Sequence, residues 1–320
     1  MTTSVMERGR LSVEDFISIS QLRPEDIGQI YALAERVKAS PQDYSRALVG
    51  KQTALIFEKP SLRTRVTFEV GMTTLGGHSI FLDHTKPRLG EREPIKDIAK
   101  NLERWVDCIV ARTFQHEALT QLAEHASIPV INALSDLLHP CQALSDMFTL
   151  REKFGSKKKP LLAYVGDGNN VCHSLMLTVA KLGQVLRVAT PPGFEPNEEI
   201  VREARAVAKT TGGEISHDYD PRKVVRGADA VYTDVWASMG QEYASHMRAQ
   251  VFSPYRVTED LMQAAGPDAL FMHCLPAHRG QEVVGEVIDS DRSIVYEQAE
   301  NRLHVQKALL LLLLRESDGS

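Results

Sequence analysis

Phe57-Glu58-Lys59-Pro60-Ser61-Leu62-Arg63-Thr64-Arg65-Val66-Thr67-Phe68-Glu69 is the stretch from which the rest of the chain can be read. Ahead of it the apolar run Ala54-Leu55-Ile56-Phe57 reads as a strand, Lys59-Pro60 as a turn, and Ser61 as the N-cap of a helix. The first helical turn then carries Arg63, Thr64 and Arg65. Free N–H groups at a helix start, the positive end of its dipole, hydroxyls and guanidinium forks together suit a phosphate dianion, with no need of a glycine-rich loop. Taken alone, the same stretch also reads as a capped helix with a solvated basic face.

Outward from this point the pattern repeats. Pro24 to Ala39 places Ile27, Ile30, Leu33 and Val37 at helical spacing, so an amphipathic helix precedes the first strand. Beyond the Ser61 helix, Ser79-Leu82, Cys108-Ala111 and Pro129-Asn132 read as strands, with helices at Pro94-Trp105 and His116-His125 between them. Strands alternating with helices predict a parallel sheet wrapped on both faces. A helix from Cys141 to Phe154 leads into Gly155-Ser156-Lys157-Lys158-Lys159-Pro160, which reads as an interdomain linker. The alternation then restarts with strands at Leu161-Val165, Val185-Ala189, Asp229-Thr233 and Ala269-Met272, and a helix at Val171-Leu182. The expectation is an α/β chain of two domains, each a parallel sheet flanked by helices. The first covers residues 1–154 and the second residues 155–296.

Composition narrows the class. A chain of 320 residues fits two domains of ordinary size, and 43% hydrophobic with 25% charged residues is a globular balance. A net charge of -5 argues against a nucleic-acid partner. Cys108, Cys141, Cys172 and Cys274 form no C-x-x-C pair, and with no signal peptide ahead of them a reducing cytoplasm is expected. The leucine run ending at Leu314 is far short of the roughly 20 residues a membrane span needs, so the helix from Glu297 to Leu314 is expected to be buried.

Four further segments carry chemistry: His139-Pro140-Cys141-Gln142, Asp167-Gly168-Asn169-Asn170, Asp234-Val235-Trp236-Ala237-Ser238-Met239-Gly240 and His273-Cys274-Leu275-Pro276. Gly166-Asp167-Gly168 begins a G-x-G, but a dinucleotide fingerprint needs glycine at position 171, where Val171 stands. Together with Ser61-Leu62-Arg63-Thr64-Arg65, these segments resemble the ornithine carbamoyltransferases, and the resemblance runs from the first strand to Glu300-Asn301-Arg302.

The resemblance implies transfer of the carbamoyl group of carbamoyl phosphate to the δ-amino group of L-ornithine, giving citrulline and phosphate. It implies no metal and no organic cofactor. Ser61, Leu62, Arg63 and Thr64 would form the phosphate clamp, joined by Arg302. Thr64, Arg112 and His139 would polarise the carbonyl, and Gln142, in the tetrad with Pro140 and Cys141, would bind the carbamoyl amide together with the backbone of Cys274 and Leu275. Asn170 would hold the α-carboxylate of ornithine, and Asp234 with Ser238 its α-ammonium. Ser238-Met239-Gly240 would be a flap that separates ornithine enzymes from aspartate and putrescine relatives. Cys274 would lie beside the attacking amine with Asp234.

Further implications are a homotrimer, or a multiple of one, and a last helix, residues 297–320, that completes the first domain. Arg88 departs from the pattern, since many family members carry Gln or His there, in a loop that reaches a neighbouring subunit's site. A carbamoyltransferase for another amine, or a catalytically silent binding subunit, is the alternative. Arginine biosynthesis is the implied setting.

Overall fold

The computed structural model describes residues 11–236 and 245–314. Within them the chain forms two compact units, one of the described residues up to Asp136 together with those from Arg302 onward, the other of those between Leu137 and Asn301.

In the first unit β1 (Gln52–Phe57), β2 (His78–Asp83), β3 (Cys108–Arg112) and β4 (Val130–Leu134) form a parallel sheet in the order β2-β1-β3-β4. Helix α1 (Pro24–Ala39) opens the unit with proline at its first position and Glu25 and Asp26 in its first turn, all favourable at a helix N-terminus. Helices α2 (Arg63–Thr74), α3 (Ile95–Leu102) and α4 (His116–His125) follow β1, β2 and β3 in turn. Ala54 and Ile56 of β1 share one buried cluster with Ile95, Ala99, Leu119 and Leu122 of α3 and α4. Leu55 and Phe57, on the opposite face by the two-residue period, are also buried. β1 is therefore apolar on both faces, as a central parallel strand must be.

The second unit begins with α5 (Pro140–Phe154) and builds a parallel sheet from β5 (Leu161–Val165), β6 (Val185–Ala189), β7 (Glu214–Asp218), β8 (Ala230–Thr233) and β9 (Leu270–His273), in the order β7-β6-β5-β8-β9. Its helices are α6 (Asn170–Lys181), α7 (Glu198–Thr211), α8 (Pro221–Val225), α9 (Ser245–Phe252), α10 (Glu259–Ala265) and α11 (Gly285–Ile288). Ala163, Val165, Val231 and Phe271 of the sheet are buried against Val224, Leu261, Met262 and Val287.

The last helix, α12 (Val295–Leu314), starts in the second unit and ends in the first. There Leu303, Lys307 and Leu310 pack on Gly71 of α2, where a β-carbon would lie only 3.5 Å from the Lys307 side chain. Val305 and Ala308 to Leu311 are buried, so the leucine run is core. No helix among the described residues is long and apolar enough to cross a membrane.

Helix α5 packs on α6, is buried along most of its length and belongs to the second compact unit, which begins at Leu137. One detail differs from the sequence reading. Strand β7 was not foreseen: Glu-Ile-Ser-His-Asp buries only Ile215 and sits at the sheet edge, so it carries no apolar run.

Candidate functional site

In each unit the strand order reverses beside the first strand. β1 lies between β2 and β3, and β5 between β6 and β8. Ligands of open α/β sheets bind at the carboxyl ends of strands where the order switches. In the first unit those ends are Phe57 and Arg112, which are register partners. In the second they are Val165, leading into Gly166 to Asn170, and Thr233, leading into Asp234.

The first crevice holds a cationic cradle. Helix α2 begins at Arg63 with Leu62 in the cap position, one residue later than the sequence suggested. Ser61 still supplies the capping bond, its Oγ accepting from the Thr64 N–H at 3.3 Å. Arg112 reaches the same oxygen from β3 at 3.4 Å, and the β3–β4 register shifts between Ala111 and Arg112. Arg302, 2% exposed on α12, donates to Thr64 Oγ1 at 2.8 Å. Ser61, Thr64, Arg112 and Arg302, distant in sequence, are thus joined around one helix start, with Arg63 half-buried in the same turn. Burial, then the positive charge of Arg112, lowers the pKa of Lys59.

Arg88 stands apart from that group. It is exposed, and its guanidinium lies 4.0 Å over the Phe114 ring. Glu58 ties its loop down: one carboxylate oxygen accepts from the Leu89 N–H at 2.8 Å and the other from the Phe114 N–H at 2.6 Å. Glu58 has no role legible from the sequence. Nothing local marked it, since both its partners are about thirty or more positions away.

In the second unit His139 occupies the cap position of α5, with Pro140 at the first helical residue. Its backbone N–H donates to Ser174 Oγ at 2.8 Å, and His139, Cys141 and Gln142 are all buried.

The loop after β5 is held by close approach. A β-carbon on Gly168 would stand 2.3 Å from the Pro196 nitrogen, so only glycine fits. Asn169 caps α6 through the Val171 and Cys172 N–H groups and donates its amide to Asp234 Oδ2 at 2.7 Å. Asn170, the residue singled out from sequence, is the half-buried first residue of α6. Asn169 was missed because the order to Asp234 runs through space. Asp167 pairs with Arg248 at 2.9 Å, and burial raises its pKa against that pairing.

Asp234 is 6% exposed and also accepts from Cys274 Sγ at 3.0 Å. A carboxylate held between a thiol and an amide retains acceptor capacity for a cationic group. Leu275 follows at φ 58, a left-handed backbone that costs about 1–2 kcal/mol for a residue with a side chain. Its N–H donates to His273 Nδ1 at 2.8 Å, which helps hold it there. Asp234, His273 and Cys274 bring ligand-type atoms within 4.8 Å of one another. Both His273 nitrogens are already engaged, by Leu275 and by Glu282 Oε1 at 3.3 Å, so a cation would have to compete with those contacts. Ser238 and Met239 lie outside the described residues.

One switch point thus carries a cationic cluster at a helix start, and the other a buried carboxylate beside a thiol. Residues 14–152 match the family model described as "Aspartate/ornithine carbamoyltransferase, carbamoyl-P binding domain", and residues 158–313 the "Asp/Orn binding domain" of the same family. The chain belongs to the aspartate/ornithine carbamoyltransferase family. It is 49% identical to the ornithine carbamoyltransferase of Pyrococcus abyssi over 95% of this chain and 96% of that one. It is 48% identical to that of Anoxybacillus flavithermus over 98% and 99%. Among solved structures, the ornithine carbamoyltransferase of Pyrococcus furiosus superposes with a TM-score of 0.91 at 49% identity, covering 94% of this chain and 96% of that one.

Proposed function

We propose that the chain is an ornithine carbamoyltransferase, converting carbamoyl phosphate and L-ornithine to L-citrulline and phosphate. The observation that carries this reading is the joining of Ser61, Thr64, Arg112 and Arg302 around the start of α2 in a chain whose relatives act on ornithine. The δ-amino nitrogen attacks the carbonyl carbon, a tetrahedral intermediate forms, and its C–O bond to phosphate breaks as the nitrogen loses a proton.

In this reading Ser61, the Leu62 backbone, Arg63, Thr64 and Arg302 hold the phosphate and the charge it gains on leaving. Thr64, Arg112 and His139 donate to the carbonyl oxygen as negative charge develops there. Gln142 takes the carbamoyl amide, assisted by the backbone of Cys274 and Leu275. Asn170, Asp234 and Ser238 hold the ornithine backbone, and Cys274 with Asp234 assists deprotonation of the amine. Arg88 would meet a phosphate in a neighbouring subunit.

The assembly proposed is a homotrimer. Its support in the first unit is an exposed apolar stripe, Leu62, Val66 and Val70, spaced by four along α2 with Val49 and Ile80 also exposed. The relative from Pyrococcus furiosus described as anabolic supports a place in arginine biosynthesis. The deciding experiment is citrulline formation with ornithine, acetylornithine, putrescine and aspartate compared as acceptors. A preference for any acceptor other than ornithine would refute the assignment.

A further inference from the structure

Buried polar groups without partners are rare, and each calls for a reason. Gln142 Oε1 is buried and has no hydrogen-bond partner among the described residues. The other end of the same amide is fixed: Nε2 donates to Asp146 Oδ1 at 2.8 Å, one helical turn further along α5. Asp146 is itself wholly buried. Gln298 of α12 donates to the same Oδ1 at 2.9 Å, and the Tyr232 hydroxyl of β8 donates to Oδ2 at 3.0 Å. The carboxylate is thus held from two other elements and faces Gln142 only as an acceptor.

An amide beside such a group has one orientation. Turned over, Gln142 would set its oxygen against a carboxylate oxygen and point its N–H₂ the other way. We propose that Asp146 is a positioning residue that fixes Gln142 as an acceptor toward the substrate, so that the site requires an N–H₂ group on the transferred acyl carbon and rejects a methyl group there. This rests on the reading of Gln142 as the carbamoyl-amide contact. A carbamoyl group places two N–H donors where the orphan oxygen lacks one. An acetyl group of similar size leaves that oxygen buried and unpaired, and such mismatches discriminate more strongly than shape does.

The test compares two stable competitive inhibitors: phosphonoacetamide, and acetonylphosphonate, in which methyl replaces the amide N–H₂. Wild-type protein should favour the amide by about tenfold or more, as one well-made hydrogen bond against an unpaired acceptor allows. In Gln142→Leu the preference should fall to near one. In Asp146→Leu it should fall to within about threefold, because the freed Gln142 amide can present either end. Asp146→Asn keeps an acceptor for Gln142 and should retain most of the discrimination, a rescue that a merely structural role would not produce. Should Asp146→Leu not fold, Asp146→Ser carries the same comparison. An undiminished preference in the Asp146 variants alongside its loss in Gln142→Leu would overturn the positioning role and leave the Gln142 contact standing. An unchanged preference in Gln142→Leu would remove the contact and the proposal with it. Loss in Asp146→Asn as complete as in Asp146→Leu would overturn the orientation argument.

Discussion

Glu58→Gln tests how the loops of the first unit are held. Glu58 is 4% exposed and accepts two backbone N–H groups, from Leu89 at 2.8 Å and Phe114 at 2.6 Å. Glutamine has the same shape but only one oxygen. It can accept one of these N–H groups as a neutral bond, while its own N–H₂ must face the other, and a backbone N–H cannot accept. One charge-assisted bond is weakened and one buried donor is left unpaired, a combined loss of about 2–4 kcal/mol. The residues released are the Arg88 loop and the turn that follows Arg112, so the KM for carbamoyl phosphate should rise about tenfold, equivalent to about 1.4 kcal/mol, while that for ornithine stays within about twofold. Denaturant unfolding followed by fluorescence reads the stability, and initial rates of citrulline formation read the two KM values. A stability within about 0.5 kcal/mol of wild type, the range of an ordinary surface change, with an unaltered KM for carbamoyl phosphate would refute the argument that Glu58 holds both loops.

Three other outcomes are expected. Cys274→Ala removes the thiol 3.0 Å from Asp234 and should lower turnover and raise the KM for ornithine more than that for carbamoyl phosphate, with the rate of the parent enzyme climbing through alkaline pH as the amine deprotonates; a variant with unchanged rates across that pH range would make Cys274 a packing residue. His173 donates through Nδ1 to the Leu137 carbonyl and accepts through Nε2 from the Asn197 N–H, so burial, with Nε2 needed unprotonated, holds its pKa below 6.5. The unfolded chain then binds the extra proton first, so stability is full above about pH 6.5 and declines on acidification toward the folded pKa, by up to about 1.4 kcal/mol per pH unit; a stability that does not depend on His173 over that interval, judged by an equal slope in His173→Asn, would contradict this. If the proposed homotrimer forms through the α2 stripe, Val66→Asp combined with Val70→Asp should give smaller species than the parent protein in sedimentation velocity, and an unchanged assembly would exclude that stripe as its interface.

Much of the molecule was legible from short-range signals. The alternation of apolar strands with helices, the helical spacing of the apolar residues of α1, and the hydroxyl-bearing start of α2 all act within a few residues, where periodicity and capping operate. They were enough to expect two parallel sheets and to place the start of α2 to within one residue. Arg112, Asp234 and Cys274, singled out from the sequence, stand at strand ends.

The order of those strands was decided only in three dimensions. Nothing in β1 states that β2 and β3 will flank it, yet that arrangement creates the crevice in which Arg112 meets Ser61. Buried polar groups show the same dependence. Asp146 and Gln142 are neighbours on one helix, but Tyr232 and Gln298, which fix the carboxylate, lie 86 and 152 positions away. Glu58 finds its donors at Leu89 and Phe114, and Asn169 finds Asp234 across the sheet. A polar side chain removed from water must find a partner wherever the packed chain offers one, and that partner is set by the geometry of close packing rather than by distance along the sequence.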